Sequence, residues 1–245
     1  MRIIVLLLLN LLLTLHAEVL IKEVKETYEG GIPKIVEFSD QGKNVVQQIA
    51  YFQNGTKEHE INIKAKGENG ELEVWSEDRK LILKASWKDY GLDWDLTGYH
   101  PNGQLHYKGG WSGEKPHGNW KTYFPDGQKE FSGTIFMGKP EGVQELFWPN
   151  GQLRGRCNYT NGIENGKLKM WFETGEIHIV RTYDYGKFTA QKRYNKKGQL
   201  TSDVEFTEKE AISGQSFYLL WPMKTMESAK KYLDYAKPFM IRKKN

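Results

Sequence analysis

The chain is poor in cysteine and has no long apolar run, and both shortages restrict its class. Cys157 is the one cysteine in 245 residues, which excludes an internal disulfide framework. A lone cysteine in a strand pattern is typical of a small buried hydrophobe rather than a reactive thiol. The apolar run at residues 3–15 is shorter than the roughly 20 residues that a membrane-spanning helix needs. Stability must therefore come from burial.

That short run instead forms part of a secretory signal pattern. Arg2 precedes the run and Ala17 follows it, as expected for a charged region, an apolar region and a small residue at the cleavage point. No cysteine follows directly, so a lipid anchor is not expected. We predict a signal peptide at residues 1–17 and an exported protein, in the periplasm, in the cell envelope or secreted. An uncleaved anchor and a buried first strand are the alternatives.

Motifs for catalysis are also missing. The sequence has no Gly-x-Ser-x-Gly, no phosphate-binding glycine loop and no identifiable Ser-His-Asp arrangement. Asp93 and Asp95 flank Trp94 and could serve glycoside hydrolysis, but an acidic solvent-exposed face is the preferred interpretation. The histidines show no metal-ligand spacing; they are His16, His59, His100, His106, His117 and His178. We therefore predict no enzyme, and no catalytic, cofactor-binding or metal-binding residues.

Charge is distributed unevenly along the chain. The net charge is +4, yet residues 221–245 alone hold seven Lys or Arg against two Asp or Glu. The remainder is nearly neutral, which argues against a nucleic-acid partner.

A turn glycine recurs every 24 residues, and this period is the dominant feature of the sequence. An aromatic residue usually stands four positions earlier. The glycines are Gly31, Gly55, Gly103, Gly127, Gly151 and Gly175, with Gly198 one residue early and Arg79 in the remaining slot; the aromatics are Tyr51, Trp75, Tyr99, Tyr123, Phe147, Trp171 and Tyr194. Such a period predicts a stack of one supersecondary unit.

Two further columns keep the same period. One runs through Ile63, Trp87, Trp111, Ile135, Tyr159 and Tyr183 and continues at Phe206; the other runs through Leu81, Leu105, Lys129, Leu153 and Ile177. The first column could line a ligand groove, but a packed face between neighbouring hairpins is the preferred interpretation.

Each unit is predicted to be a β-hairpin. Residues 120–124 lead into Pro125-Asp126-Gly127, and Asp-Gly between alternating runs is a strong hairpin signal. Alternation places Trp120, Thr122 and Phe124 on one face and Lys121 and Tyr123 on the other. A second break per unit is predicted at residues 115–118, 138–142 and 162–166.

The best-preserved units resemble the bacterial variant of the MORN repeat, which is also found in the YwqK-type antitoxin family. The segments that carry the resemblance are residues 118–127, 142–153 and 166–175, and it extends roughly over residues 45–205. The resemblance implies a long antiparallel sheet of consecutive hairpins that contacts proteins or membranes. It implies no catalytic residue.

Cell-wall choline-binding repeats are a competing family, because they also place aromatics before a glycine. Their aromatics form a cage around a quaternary ammonium. Here the corresponding column changes from Trp120 to Gln144 and then Leu168, which such a cage would not tolerate.

The tail departs from the repeat. Thr207 to Glu210 has the form of a capping box, and a helix is predicted from about Met226 to Lys237, before Pro238. Its apolar stripe is Met226, Ala229, Leu233 and Ala236. We expect this helix to cover the open last strand. A basic segment ending in Arg242-Lys243-Lys244 could instead meet an anionic membrane or an envelope polymer.

The sequence thus predicts an all-β protein, an elongated antiparallel sheet of about 16 strands in tandem hairpin repeats with a short C-terminal helical cap. Its parts are the signal peptide at 1–17, the repeat domain at 18–207 and a helical, basic tail at 208–245. The predicted function is an exported, non-enzymatic scaffold that binds an unknown protein partner. The alternatives are an antitoxin or immunity protein that neutralises a toxin, and peripheral binding to the membrane or cell envelope.

Overall fold

In the computed structural model of the chain, the described residues are 19–207, 212–213 and 220–240. The predicted signal peptide, most of the predicted capping box and the basic residues 242–244 lie outside them. The described strands form one antiparallel sheet in which, apart from two short strands described below, each strand pairs with the next along the chain. The strands are Ile21–Thr27 (β1), Pro33–Ser39 (β2), Val45–Tyr51 (β3), Lys57–Lys64 (β4), Asn69–Trp75 (β5), Leu81–Lys88 (β6), Asp93–Tyr99 (β7), Leu105–Ser112 (β8), Lys115–Tyr123 (β9), Lys129–Phe136 (β10), Lys139–Phe147 (β11), Leu153–Thr160 (β12), Ile163–Glu164 (β13), Gly166–Trp171 (β14), Ile177–Asp184 (β15), Lys187–Tyr194 (β16), Leu200–Glu205 (β17) and Ile212–Ser213 (β18).

This architecture confirms the predicted all-β fold of hairpin repeats. β13 and β14 both pair with β12 and form one interrupted strand, and the two-residue β18 pairs with β16 beside β17. The described sheet therefore has eight hairpins, as the period requires.

The 24-residue turns all lie on the same side of the sheet, at one end of the strands. We call this side the turn edge. In the turn at residues 124–128 the Phe124 N–H bonds to the Gln128 carbonyl and the Gly127 N–H bonds to the Phe124 carbonyl. The same pair of bonds closes the turn at 76–80, where Arg79 takes the glycine position at φ 65°. The prediction of a turn at this slot is confirmed.

The second break of each unit lies at the opposite ends of the strands, which we call the link edge; it is shorter and earlier than predicted and overlaps the predicted ranges only at Gly138 and Gly162. The chain reverses at residues 113–114, 137–138 and 161–162, so Pro116 and Pro140 lie inside strands. The glycine pattern that suggested a break marks bulges instead, at Gly118, Gly142 and Gly166, which all have positive φ. Each bulge inserts two extra residues into its strand. Between the pairs Lys108↔Lys121 and Gly110↔His117, for example, β8 advances by two residues and β9 by four.

The bulge also explains the one-residue deletion before Gly198. In β16 the register changes by one residue rather than two, between Thr182↔Ala190 and Tyr183↔Phe188. The shortened unit therefore loses a residue from its bulge, and its turn at residues 195–199 keeps the usual hydrogen bonds.

The bulges explain why the same repeat position holds Trp120 in one unit, Gln144 in the next and Leu168 in the third. The Trp120 indole N–H donates to the Gly110 carbonyl, and the Gln144 amide donates to the equivalent Thr134 carbonyl one unit later. In the third unit the carbonyl of Asn158 accepts the backbone N–H of Asn165, so no side-chain donor is needed and Leu168 fits. Buried carbonyls need a partner, and this requirement sets the residue type.

The core lies on one face of the sheet, the inner face. Trp87, Trp111, Ile135, Tyr159 and Tyr183 are all buried there, so the preferred packing interpretation of this column is confirmed. Trp120 and Phe131 are fully buried on the same face.

A single α-helix is described, Leu220–Leu233 (α1). It begins and ends earlier than predicted, but the predicted stripe of Met226, Ala229, Leu233 and Ala236 is buried. No described helix has the length and apolar character to cross a membrane.

The expectation that this helix covers the last strand is wrong. α1 packs on the inner face near β4–β8: Tyr235, just past the helix, stacks on His59 with ring centroids 4.2 Å apart, and Lys230 lies 3.8 Å from Glu114. In the described residues, β17 remains mostly exposed. The apolar stripe of the helix joins the buried cluster that contains Trp87, Trp94 and Trp111, and burial of apolar area is the main favourable term in such docking.

Candidate binding surface on the outer face

The face opposite the core, the outer face, carries a continuous apolar row next to the turn edge. The pre-turn aromatics lie on alternate strands, and the residues paired with them fill the strands between, as in the pair Trp75↔Leu81. We call this row the aromatic stripe: Tyr51, Lys57, Trp75, Leu81, Tyr99, Leu105, Tyr123, Lys129, Phe147, Leu153, Trp171, Ile177, Tyr194 and Leu200. Its aromatic rings are half-buried. The column of pre-turn aromatics and the column that runs from Leu81 to Ile177 therefore form one surface.

The two lysines of the stripe lie over its rings. The Lys57 ammonium is 4.8 Å from the centroid of the Trp75 ring, and the Lys129 ammonium is 4.8 Å from that of Phe147. These are cation–π distances. The stripe therefore presents rings and positive charge together.

Hydrogen bonds between successive turns hold the stripe in place. Asn102 donates to the Pro125 carbonyl at 2.7 Å, and Asn150 makes the same bond to Glu173 at 2.8 Å. A Cβ at Gly151 would lie 3.0 Å from the Gln128 side chain. The turns are therefore stacked closely enough to fix the spacing of the aromatics.

Between the stripe and the link edge, the outer face of β4–β9 forms a concave, mainly acidic groove of about 1180 Å³. We call it the acidic groove. It contains Lys84 and Lys108 against five carboxylates, those of Glu60, Glu71, Glu73, Asp93 and Asp95. Lys84 lies 2.6 Å from Glu73, and this hydrogen bond raises the pKa of Lys84. Part of the acidic charge is thus neutralised internally.

Further along the same face, β11, β12 and β14 form a smaller recess of about 240 Å³, which we call the basic pocket. Its charged lining residues are Arg156, Lys167 and Lys169, and the described lining includes no carboxylate. Val143, Leu153 and Trp171 supply apolar walls. Glu145 lies outside the recess, 3.7 Å from the Arg156 guanidinium. The pocket is therefore cationic and partly apolar.

Like charges face each other across strands at two places on the outer face, one in the basic pocket and one beside the acidic groove, which Lys108 lines. Arg156 is directly opposite Lys169, and Lys108 is directly opposite Lys121. All four side chains are exposed. Like charges in directly opposed positions destabilise a sheet, so this arrangement costs the isolated protein stability.

The paired carboxylates singled out in the sequence lie in the acidic groove. Asp93 and Asp95 share the outer face and are exposed, while Trp94 is buried on the inner face with its indole N–H on the Gly91 carbonyl. The Ser112 hydroxyl donates to Asp93 at 2.9 Å. The aromatic that suggested a sugar site is therefore separated from both carboxylates by the sheet.

The histidines and the cysteine are spread over the molecule. In the described residues, no group of three or more His, Cys, Asp or Glu could hold a metal ion. His100 stacks on His106 and His178 stacks on Phe172. His59 is buried beside Tyr235, and burial lowers its pKa to about 4. Cys157 is buried as predicted, and burial raises its pKa to about 12.

Sequence reasoning found both columns of the aromatic stripe but not the two charged recesses. The register between strands is needed to bring Arg156 opposite Lys169. A local signal existed, since Lys167 and Lys169 alternate with buried residues on β14 and therefore point to one face.

Comparison with known proteins supports the repeat assignment. The family model described as MORN repeat variant matches residues 116–134 and 140–161. A search of curated proteins gives no match. A solved structure that matches is a protein of unknown function from Bacteroides fragilis NCTC 9343, at 8% identity over 79% of this chain and 96% of that chain, with a TM-score of 0.14. A likeness at that score supports no argument about fold.

The two matched segments contain most of the β9–β10 hairpin and most of the β11–β12 hairpin. The same turn geometry recurs at every unit from residue 28 to residue 199. Residues 116–134 and 140–161 are therefore repeats of the MORN variant, and the same hairpin geometry continues on both sides of them.

Proposed function

We propose that this protein is a non-enzymatic scaffold that binds a protein partner through the aromatic stripe. The observation that carries the proposal is the continuity of the stripe, in which rings, aliphatic side chains and two lysines occupy paired positions from β3 to β17. At a strand spacing of about 4.8 Å, the stripe is about 60 Å long.

The physical support is the combination of exposure and rigidity. Monomeric proteins rarely expose long contiguous apolar surfaces without an interaction role, and Trp and Tyr are the residues that dominate binding hot spots. Here the rings are half-exposed and fixed by stacked turns. A partner can therefore bury them at little cost in conformational entropy.

A pull-down from the native source, with mild cross-linking, tests the proposal. The double variant Trp75→Ala, Tyr123→Ala removes two rings of the stripe without touching the buried inner face. We expect it to lose the partner that the wild type captures. A suitable control is Tyr185→Ala, because Tyr185 is an aromatic residue with 69% exposure on the link edge; this variant should retain the partner.

Two results would contradict the proposal. One is that the wild type recovers no specific partner under cross-linking. The other is that the stripe variant and the Tyr185→Ala variant retain the partner equally well.

A toxin is one partner of this class, which the sequence resemblance to an antitoxin family favours. Co-expression with a toxin encoded by a neighbouring gene should then restore growth, and the stripe variant should not. Growth that stays arrested with the wild type would exclude that toxin as the partner.

Export is a further part of the proposal, supported by the pattern at residues 1–17. N-terminal sequencing of protein from the native source should find the chain beginning after Ala17. A chain that begins at Met1 would contradict cleavage.

A further inference from the structure

We infer that the basic pocket selects an acidic polypeptide segment as the partner. The inference rests on the proposed function, since it names the chemistry of the partner that the stripe binds. It concerns a different set of residues from the stripe variant and can therefore fail separately.

The lining of the basic pocket supplies the first argument. Three cationic side chains surround a recess whose described lining includes no carboxylate; of the three, Arg156 pairs at 3.7 Å with Glu145, which lies outside the recess. Its volume of about 240 Å³ is below the roughly 300–1,000 Å³ of typical small-molecule sites. Trp171 and Leu153 form part of its wall and also belong to the stripe. The recess thus fits a carboxylate side chain of a segment whose apolar residues lie on the stripe.

The opposed like charges supply the second argument. In the free protein Arg156 faces Lys169 across β12 and β14, and the Glu145 carboxylate pairs with Arg156 from the other side. An anionic partner that pairs with Lys169 relieves the remaining repulsion between the two cations, and this relief adds to its binding free energy. A basic or neutral segment would gain nothing from this arrangement.

The lysines that lie over two rings of the stripe favour a polypeptide over a lipid surface as the partner. The rings of the stripe are half-buried, and the ammonium groups of Lys57 and Lys129 lie 4.8 Å above two of them. Rings covered in this way cannot penetrate a bilayer without displacing charged groups into it. Lys57 already pairs with Glu60, but a peptide carboxylate can pair with the Lys129 ammonium while a neighbouring side chain packs against the Phe147 ring.

The test uses the full chain and a synthetic peptide in which glutamate alternates with leucine, with fluorescence anisotropy as the readout. We expect saturable binding of this peptide and none of a counterpart in which lysine alternates with leucine. Lys169→Glu should weaken binding of the acidic peptide by about tenfold or more, equivalent to about 1.4 kcal/mol. The introduced carboxylate lies opposite the Arg156 guanidinium and replaces a repulsion with an attraction, so the thermal midpoint should not fall.

The matched control is Lys197→Glu, which makes the same change in net charge at an exposed turn position. It should leave binding within about twofold of the wild type. If Lys169→Glu does not fold, Lys167→Glu takes its place, because Lys167 is exposed and lines the same pocket.

Several results would overturn the inference. One is acidic-peptide binding that is absent, unchanged by the pocket variant, or equally reduced by Lys197→Glu. Another is Lys169-dependent binding to phosphatidylserine–phosphatidylcholine vesicles without peptide binding, which would assign the pocket to lipid. Sedimentation that shows a dimer dissociated by Lys169→Glu, without peptide binding, would assign it to a second copy. Loss of the native partner in the stripe variant but not in the pocket variant would leave the proposed function standing and reject this inference alone.

Discussion

The strands β4–β9 and the strands β10–β17 have the same repeat and the same backbone pairing, but their two faces differ. In the first half, α1 packs on the inner face and the outer face forms the acidic groove. In the second half, the inner-face cluster around Cys157, Tyr159 and Tyr183 consists of strand residues among those described, and the outer face carries the basic pocket. We call these the covered half and the second half.

The comparison separates what a repeat must keep from what it is free to vary. Turns, bulges and the inner-face column recur in both halves because they satisfy backbone hydrogen bonds and bury apolar area. The outer-face positions between the stripe and the link edge meet neither requirement. They have therefore acquired opposite charge in the two halves, and one sheet presents two different surfaces.

The largest effect is expected from a substitution that weakens the docking of α1 on the covered half. Leu233→Ala truncates a buried helix residue that is 6% exposed, and such truncations cost about 2–5 kcal/mol. Urea unfolding should show this loss together with a red shift in tryptophan fluorescence, because Trp94 and Trp111 belong to the same cluster. Ser228→Ala, on the exposed side of α1, should change stability by less than about 0.5 kcal/mol. Equal effects of the two variants would contradict the docking of α1.

The second-largest effect is expected from acid pH, which should destabilise the covered half through His59. Burial lowers the pKa of His59 to about 4, below the value of about 6.5 in an unfolded chain. The unfolded state therefore binds more protons between these values. The contribution of neutral His59 is complete above about pH 6.5 and is lost as the pH falls towards 4, by about 3 kcal/mol in total.

His59→Phe provides the check, because phenylalanine can stack on Tyr235 but cannot titrate. Its free energy of unfolding should fall less than that of the wild type between pH 7 and pH 4.5, measured by urea titration. An identical pH dependence in both proteins would rule out His59 as the source. His106, whose pKa burial and His100 also lower, contributes in the same direction to both.

A smaller effect is expected from Gln144→Leu at a bulge of the second half. The Gln144 amide donates to the carbonyls of Thr134 and Glu141 at 2.9 and 2.8 Å. Leucine leaves both without this donor, which should cost about 1–3 kcal/mol. Leu168→Met at the equivalent position, where no donor is needed, should cost less than about 1.5 kcal/mol by thermal unfolding. A larger loss for Leu168→Met would refute the proposed role of the bulge carbonyl.

The smallest effects concern the turn edge, where the two halves are alike. Gly103 has φ 83° with nothing within 4 Å of an added Cβ, whereas Arg79 occupies the equivalent position at φ 65°. Gly103→Ala should destabilise and Arg79→Gly should stabilise, each by about 1 kcal/mol, because left-handed backbone strains residues with a Cβ. Thermal midpoints that move in the same direction would show that the backbone conformation does not govern the effect.

Much of the fold follows from residues that repeat. The period located the turn at Arg79 without a glycine, and alternation placed Thr122 and Tyr123 on opposite faces. The sequence misplaced the second break because a glycine with positive φ serves a bulge as well as a turn, as at Gly142. It misplaced the helix because its apolar stripe shows that it must dock but not where.

What the sequence by itself determined is therefore periodic: the hairpin unit, the inner-face column and the aromatic residues of the stripe. Those features depend on local backbone preferences and on alternation, which act between residues close in the chain. Only the tertiary structure decided the docking site of α1, the burial of His59 and the meeting of Arg156 with Lys169. Each of these depends on register or on contacts between distant segments, such as Tyr235 with Glu58, and no short-range pattern in the chain encodes such distances.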